Sequence, residues 1–269
     1  MSLRKRFFIT IVAIALGSFL VAFVVSEVIF QNSFVTLENQ QALRNVQRAV
    51  NALTIETNEL DRATQDRANW DDTYIFARNG NQDYIARNFL DAIFENGQIN
   101  LILVLNKNKQ IVHGKAYDLN EHTEIPIPHG LDQYLSNDAI SNLGDTQSGT
   151  SGVIMLGDGP FLISAHPILN SFMEGPSTGT LILGKFMDSS VIDKFTETTF
   201  FPLSIWSINN AQIPDDFQNA RNSLSGTEVI YIRPIDHDTV AGYTWINDIF
   251  GNQAFILRVD VQSDIYRRS

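Results

Sequence analysis

Near its start the chain carries an almost unbroken apolar run, Phe7 to Val25, interrupted only by Thr10, Gly17 and Ser18. As a helix rising about 1.5 Å per residue, a run of this length spans a hydrocarbon layer of about 30 Å. Arg4, Lys5 and Arg6 stand directly before it. By the positive-inside tendency they set the N-terminus in the cytoplasm and the rest of the chain outside. A cleaved signal peptide is the competing reading, but Val24 to Phe30 offers no small-residue cleavage site, so an uncleaved anchor is expected.

From Gln31 to Arg67 there is neither Pro nor Gly, and Glu, Gln, Ala, Leu and Arg recur, which predicts one long helix. Leu43, Val46, Val50, Leu53 and Leu60 alternate at spacings of three and four, with Thr57 filling the gap in this heptad seam. A polar residue at a seam position costs stability and helps fix register. The Thr57 hydroxyl softens that cost by bonding back to a carbonyl of its own helix. Two readings stay open: a parallel homodimer joined along the seam, or a seam packed on the chain's own sheet.

Beyond the helix the period changes. Asp83 to Glu95 reads as a helix ended by Asn96-Gly97, and Leu101 to Leu105 and Gln110 to Ala116 read as strands around a polar turn. A Pro-broken connection, Pro126 to Gly130, leads to a short helix through Leu131 and Leu135. Gly152 to Leu156 and Phe161 to Ile168 flank the turn Gly157-Asp158-Gly159-Pro160, and Thr180 to Phe186 makes another strand. Asp188 to Glu197 predicts a helix; Leu203 to Ile208, Val229 to Ile235, Val240 to Ile246 and Gln253 to Val261 predict a second antiparallel set. The fold class is therefore α+β: a transmembrane helix running into a long helix, then an antiparallel sheet lobe and a smaller membrane-proximal sheet lobe. The expected division is 1–30 for cytoplasmic tip and anchor, 31–68 for the long helix, 69–187 for a distal lobe and 188–269 for a proximal lobe.

Composition narrows the function. The net charge is −11, and the part beyond the basic tip is more acidic still, which argues against nucleic acid and against docking on anionic lipid. There is no cysteine, so disulfides, thiol catalysis and Cys-zinc sites are out. No HExxH, phosphate-cradling glycine loop or nucleophile elbow is present, so no enzyme, cofactor or metal site is expected. Asp236-His237-Asp238 reads as a plain turn.

The stretch Trp70-Asp71-Asp72-Thr73-Tyr74 concentrates the candidate chemistry. Two carboxylates between two aromatics suit a cationic or donor-rich ligand. The structural alternative is a helix start with Asn69 as cap, Asp72 three positions on as in a capping box, and acidic residues at the positive helix end. Asp71 and Asp72 diverge by about 100° on a helix, a poor geometry for paired-carboxylate hydrolysis. Asn88, His113, His166 and Lys185 are each polar within or beside an apolar run, and with the Asp pair they form the candidate ligand-binding set.

This stretch, followed by Phe76, resembles the signature of the fourth class of CHASE domains, extracytoplasmic sensory modules of membrane-bound histidine kinases and diguanylate cyclases. Asp158-Gly159-Pro160 running to His166-Pro167-Ile168, Gly175-Pro176 with Gly179 to Lys185, and Asp248-Ile249-Phe250-Gly251-Asn252 leading to Asp264-Ile265-Tyr266 carry the resemblance in the expected order. Arg67 stands where the family often has a second Trp. The resemblance implies a Cache-type, PAS-like distal lobe in a double-Cache-like arrangement and a second membrane helix soon after the C-terminus. It also implies a location in the cell membrane with the ectodomain in the periplasm or extracellular space. The expected function is ligand sensing: a small molecule bound in the distal lobe, the signal passed through membrane helices to an output domain. The alternative is an interaction module docking a protein partner without any small ligand.

Overall fold

The computed structural model describes residues 3–141, 143–144, 148–207, 210, 212–224, 229–236 and 238–262, with backbone alone at 3–6, 8–14, 27–35, 139 and 198. Helix α1, Leu3–Ala68, runs unbroken through both the expected anchor and the expected long helix. It stops where Trp70 takes an extended backbone (φ −82, ψ 133). Part of the expected anchor, 8–14, has its side chains outside the described residues. Among the described residues no helix is long and apolar enough to cross a membrane. What the structure shows there is a helix whose Leu16, Phe19, Leu20, Val21 and Phe23 side chains are exposed.

From Val46 onward the seam of α1 faces inward, whereas Leu43, its first expected member, is 39% exposed. Ala42, Val46, Ala49, Leu53 and Leu60 are buried within this one chain, and Thr57 Oγ1 donates to Leu53 O at 2.9 Å as its sequence position suggests. The same helix crosses two sheets. Its earlier turns lie on the second sheet, where Gly242 leaves the room: a Cβ there would come within 2.6 Å of Val46 Cγ2. Its later turns cross the first.

Three short helices follow: α2 (Asp71–Asn79), α3 (Gln82–Asn88) and α4 (Asp91–Gly97). The single helix expected over Asp83 to Glu95 is thus two. Asn88 Nδ2 turns back to Tyr84 O at 3.1 Å, and Phe89 and Leu90 leave the helical backbone, which lets the Phe89 ring enter the core beside Phe76 and Tyr84.

The first sheet contains β1 (Leu101–Asn106), β2 (Ile111–Asp118), β3 (Thr123–Ile125), β4 (Thr150–Leu156), β5 (Gly159–Pro167) and β6 (Gly179–Phe186) in the spatial order β3-β2-β1-β6-β5-β4, with every pair antiparallel. Strand β3 had no counterpart in the sequence pattern; it is a three-residue edge strand. Both faces of the sheet are covered. Leu162, Ile102, Val104, Leu181 and Leu183 pack with α1 to α4, while Phe161, Ile163, Ala165 and Leu103 pack toward α5 (Leu131–Leu135) and α6 (Asp138–Ser141). Two-sided burial explains why β5 and β6 read as nearly continuous apolar runs rather than alternating ones.

After α7 (Ser189–Thr199) comes the second sheet, β7 (Leu203–Ser207), β8 (Tyr231–Pro234), β9 (Thr239–Asn247) and β10 (Gln253–Gln262), ordered β7-β10-β9-β8 and antiparallel throughout. Helix α8 (Asp215–Ser223) closes its other face through Phe217 and Ala220 against Trp206, Tyr243 and Ile256. Arg258 is clamped between Asp260 and Asp216, and Tyr243 Oη donates to Asp216 Oδ2 at 2.9 Å. Burial and that acceptor push the Tyr243 pKa upward. The expected turn at Asp236-His237-Asp238 has its His237 outside the described residues.

Candidate functional site

The Trp70 to Tyr74 stretch fastens helix α2 in place. Trp70 is the N-cap residue but makes no side-chain cap bond, so the capping box expected from Asn69 is not formed: α2 starts one residue too late for it. Asp71 Oδ1 accepts from the Ser171 backbone N–H at 2.9 Å, and the hydrogen bonds from Ser171 hold its carboxyl below the usual carboxylate range. Tyr74 Oη donates to Pro176 O at 3.3 Å, beside the cis Gly175–Pro176 bond, and Thr178 Oγ1 donates to Tyr74 O at 3.2 Å. Thr73 Oγ1 and Tyr84 Oη share a buried hydrogen bond of 2.7 Å. Asp72 is exposed. The Arg67 guanidinium lies over the Trp70 ring at 5.6 Å with Nη1 buried and unbonded, and burial lowers its pKa.

His166 and Lys185 lie elsewhere. Both are buried on the sheet face under α1, where His166 Nε2 meets Asp61 Oδ1 at 2.9 Å, Ser164 Oγ donates to the same oxygen at 3.1 Å, and Lys185 Nζ pairs with Glu56. These contacts bind the long helix to the sheet and do not open toward the Asp pair. Asn88 is used in its own helix, bonded to Tyr84 O. The expected set is therefore dispersed: Trp70, Asp71 and Tyr74 at the joint with the 170–178 loop, Asn88 at the end of α3, His166 and Lys185 under α1.

His113 reaches a cavity. A pocket of about 320 Å³ lies between α3 and the β2–β3 edge, lined by Ile85, Ala86, Phe89, Leu90, His113, Gly114, Lys115 and Glu124. Its volume sits at the lower end of the range of about 300–1,000 Å³ for small-molecule sites. The His113 ring stands edge-on to Phe89 with centroids 4.4 Å apart, and burial lowers its pKa, opposed by Glu124 and reinforced by Lys115. Lys115 Nζ donates to Asp91 Oδ1 at 2.5 Å and to Phe89 O at 3.1 Å, lies 3.7 Å from Glu124 Oε2, and stands over the Phe94 and Tyr117 rings at 5.4 and 5.8 Å. Tyr117 Oη donates to Glu95 Oε1 at 2.9 Å; burial and that carboxylate push the phenol up to about 12. Lys115, Glu124 and Phe89 are pocket residues that the sequence reading missed. The available signal was His113, Lys115 and Tyr117 at every second position of a strand, a polar stripe on one sheet face.

A family model described as the CHASE4 domain matches residues 52–206, more than half of the chain. The chain belongs to the CHASE4 domain family. The matched region takes in the later turns of α1, the whole first sheet and the pocket. A curated relative, the methanogenesis regulatory histidine kinase FilI of Methanothrix harundinacea (strain 6Ac), is 23% identical over 232 residues, covering 86% of this chain. The chain spans about a quarter of that relative's length (25%). Among solved structures, the extracellular domain of vpHK1S-Z8, described as a histidine kinase, superposes with TM-score 0.58 at 12% identity, covering 88% of this chain and 99% of that one. The periplasmic domain of Vibrio cholerae LuxQ superposes with TM-score 0.53 at 10% identity, covering 82% and 99%. At such identities the likeness is one of fold, and it runs over more of the chain than the CHASE4 domain match does.

Proposed function

We propose that the chain is the extracytoplasmic sensory region of a membrane receptor, binding a small molecule in the pocket between α3 and β2 and reporting through α1. The observation that carries this reading is that the pocket and α1 share one face of one sheet. A ligand pressing on α3 and β2 acts on the core that contains Phe76, Ile102, Val104, Leu183 and Leu60, and α1 is bolted to that core by the Glu56–Lys185 and Asp61–His166 pairs. A signal needs only a difference in affinity between two arrangements of α1, tenfold corresponding to about 1.4 kcal/mol. On this reading Trp70, Asp71 and Tyr74 position α2 and α3, and His113 touches ligand.

Membrane attachment through the first turns of α1 belongs to the same proposal and is supported by Arg4-Lys5-Arg6 and the exposed apolar side chains from Leu16 to Val25. A homodimer along α1 is supported by Leu37 and Ile55, exposed on one face five helical turns apart. An attached output domain is supported by likeness to a histidine kinase of which the matched region makes up 25%.

The test is thermal unfolding of the full chain against a panel of small metabolites, since a ligand specific to the folded state raises the melting temperature with concentration. The expected result is a shift that disappears in the pocket-filling Ala86→Trp and survives Asp72→Ala. A shift lost in Asp72→Ala and kept in Ala86→Trp would move the site to the Trp70 cluster. The protein-docking reading is favoured by one observation, the exposure of Phe172 (81%) next to Ser171 and the Trp70 cluster; binding of a protein partner that Phe172→Ser abolishes, with no metabolite shift, would establish it.

A further inference from the structure

The charges around the pocket do not balance. Its wall is apolar along α3, from Ile85, Ala86, Phe89 and Leu90. Its one ammonium, Lys115, is already engaged by Asp91 Oδ1 and by the Phe89 carbonyl. Glu124 lies 3.7 Å from that ammonium, outside hydrogen-bonding distance, and its carboxylate accepts no hydrogen bond among the described residues. One cation thus faces two carboxylates. His113 adds no compensating charge, because burial favours its neutral form.

We infer that this pocket takes a small apolar cation, an amine on a short hydrocarbon body, with Glu124 as its counter-ion. The inference rests on the pocket being the sensory site. An amine donates to the exposed Glu124 carboxylate in a charge-assisted bond stronger than a neutral one, while its hydrocarbon part replaces water against Ile85, Phe89 and Leu90. A carboxylate ligand fares worse. It must take Lys115 from Asp91 and then sit beside both displaced acidic groups, a like-charge arrangement that the site disfavours. The volume of about 320 Å³ has room for such a body, since a cavity of about 150 Å³ already holds a benzene ring.

The experiment is calorimetric titration of the full chain with three probes of one shape: isoamylamine, isoamyl alcohol and isovalerate. The amine is expected to bind, about tenfold or more weaker in Glu124→Gln, not at all in Ala86→Trp, and less tightly as salt is raised. Glu124 is 67% exposed, so Glu124→Gln keeps the fold, and an unchanged melting temperature without ligand verifies this. If isovalerate or the alcohol binds at least as well as the amine, and Ala86→Trp abolishes that binding, the ligand class is wrong while the sensory pocket stands. If no probe binds, the inference falls and the metabolite panel decides the pocket reading; if amine binding persists in Ala86→Trp, both fall.

Discussion

A carboxylate such as Asp71 illustrates how one side chain serves two descriptions. In the sequence it is a negative charge between aromatics; in the fold it is the acceptor that holds Ser171 N–H. Because that bond depresses its folded-state pKa, whatever stability Asp71 contributes is present above its unfolded value of about 3.9 and is lost as pH falls through the folded value. An NMR titration should place the Asp71 midpoint below the ordinary range and should show the Ser171 amide shifting with it; a midpoint at or above the ordinary value would remove the latch. Tyrosines give the opposite sign. Tyr117, pushed up to about 12, and Tyr243, also raised, stabilise the fold below the unfolded tyrosine value of about 10 and lose that contribution as pH rises. Ultraviolet titration should find these two phenols ionising above the ordinary tyrosine value, with unfolding accompanying them.

At the scale of elements, the contact between α1 and the first sheet mixes apolar packing with the Lys185–Glu56 ion pair and the His166–Asp61 hydrogen bond. Lys185 is 5% exposed in its side chain and Glu56 17%. Breaking such a pair from one side strands a charge and costs about 3–5 kcal/mol, whereas replacing both partners with apolar residues is about neutral or stabilising. Glu56→Ala should therefore lower stability by an amount near that range in urea unfolding, and the double variant Glu56→Met with Lys185→Met should recover it. If the two variants unfold alike, the pair contributes little to the α1 contact. The same contact shows the limit of periodicity: the spacing of Val46, Leu53 and Leu60 announces an apolar face, but the strands that meet it, among them β5, β6 and β10, come from far along the chain. Likewise, nothing in Asp83 to Glu95 signalled a break at Phe89, because the break is stabilised by Phe76, Tyr84 and His113 closing around the ring.

Across the whole molecule, two of the stretches that carry the family resemblance behave as joints, while Asp264 to Tyr266 lies outside the described residues. Trp70 to Tyr74 ties α2 to the Gly175-Pro176 loop, and Asp248 to Asn252 ties the second sheet to the first: Ile249 N donates to Val153 O at 2.9 Å, and Phe250 stacks on Tyr134 with centroids 6.1 Å apart. Phe250→Ala should weaken that joint by about 1 kcal/mol, and hydrogen exchange should speed up at Val153 to Leu156 while α8 keeps its protection; equal acceleration in both would mean that the stack stabilises the molecule globally. The pocket lies apart from these joints, between α3 and the β2–β3 edge. The family signature therefore located the scaffold, and the pocket had to be found by packing.

By itself the sequence determined the long helix, through the absence of Pro and Gly; most strand positions, through turn residues and period; the acidic surface; and the family. These are local properties, set by backbone preference and by which face of an element is apolar. Tertiary structure decided what each face meets. It turned the heptad seam onto the chain's own sheets, placed His166 and Lys185 under α1, spent Asp71 on a loop amide, and brought His113, Lys115 and Glu124 to one cavity with Phe89. The reason is physical: a side chain's chemistry is fixed by its covalent structure, but its role depends on burial and on partners, and those partners arrive from distant parts of the chain only when the sheet order is set.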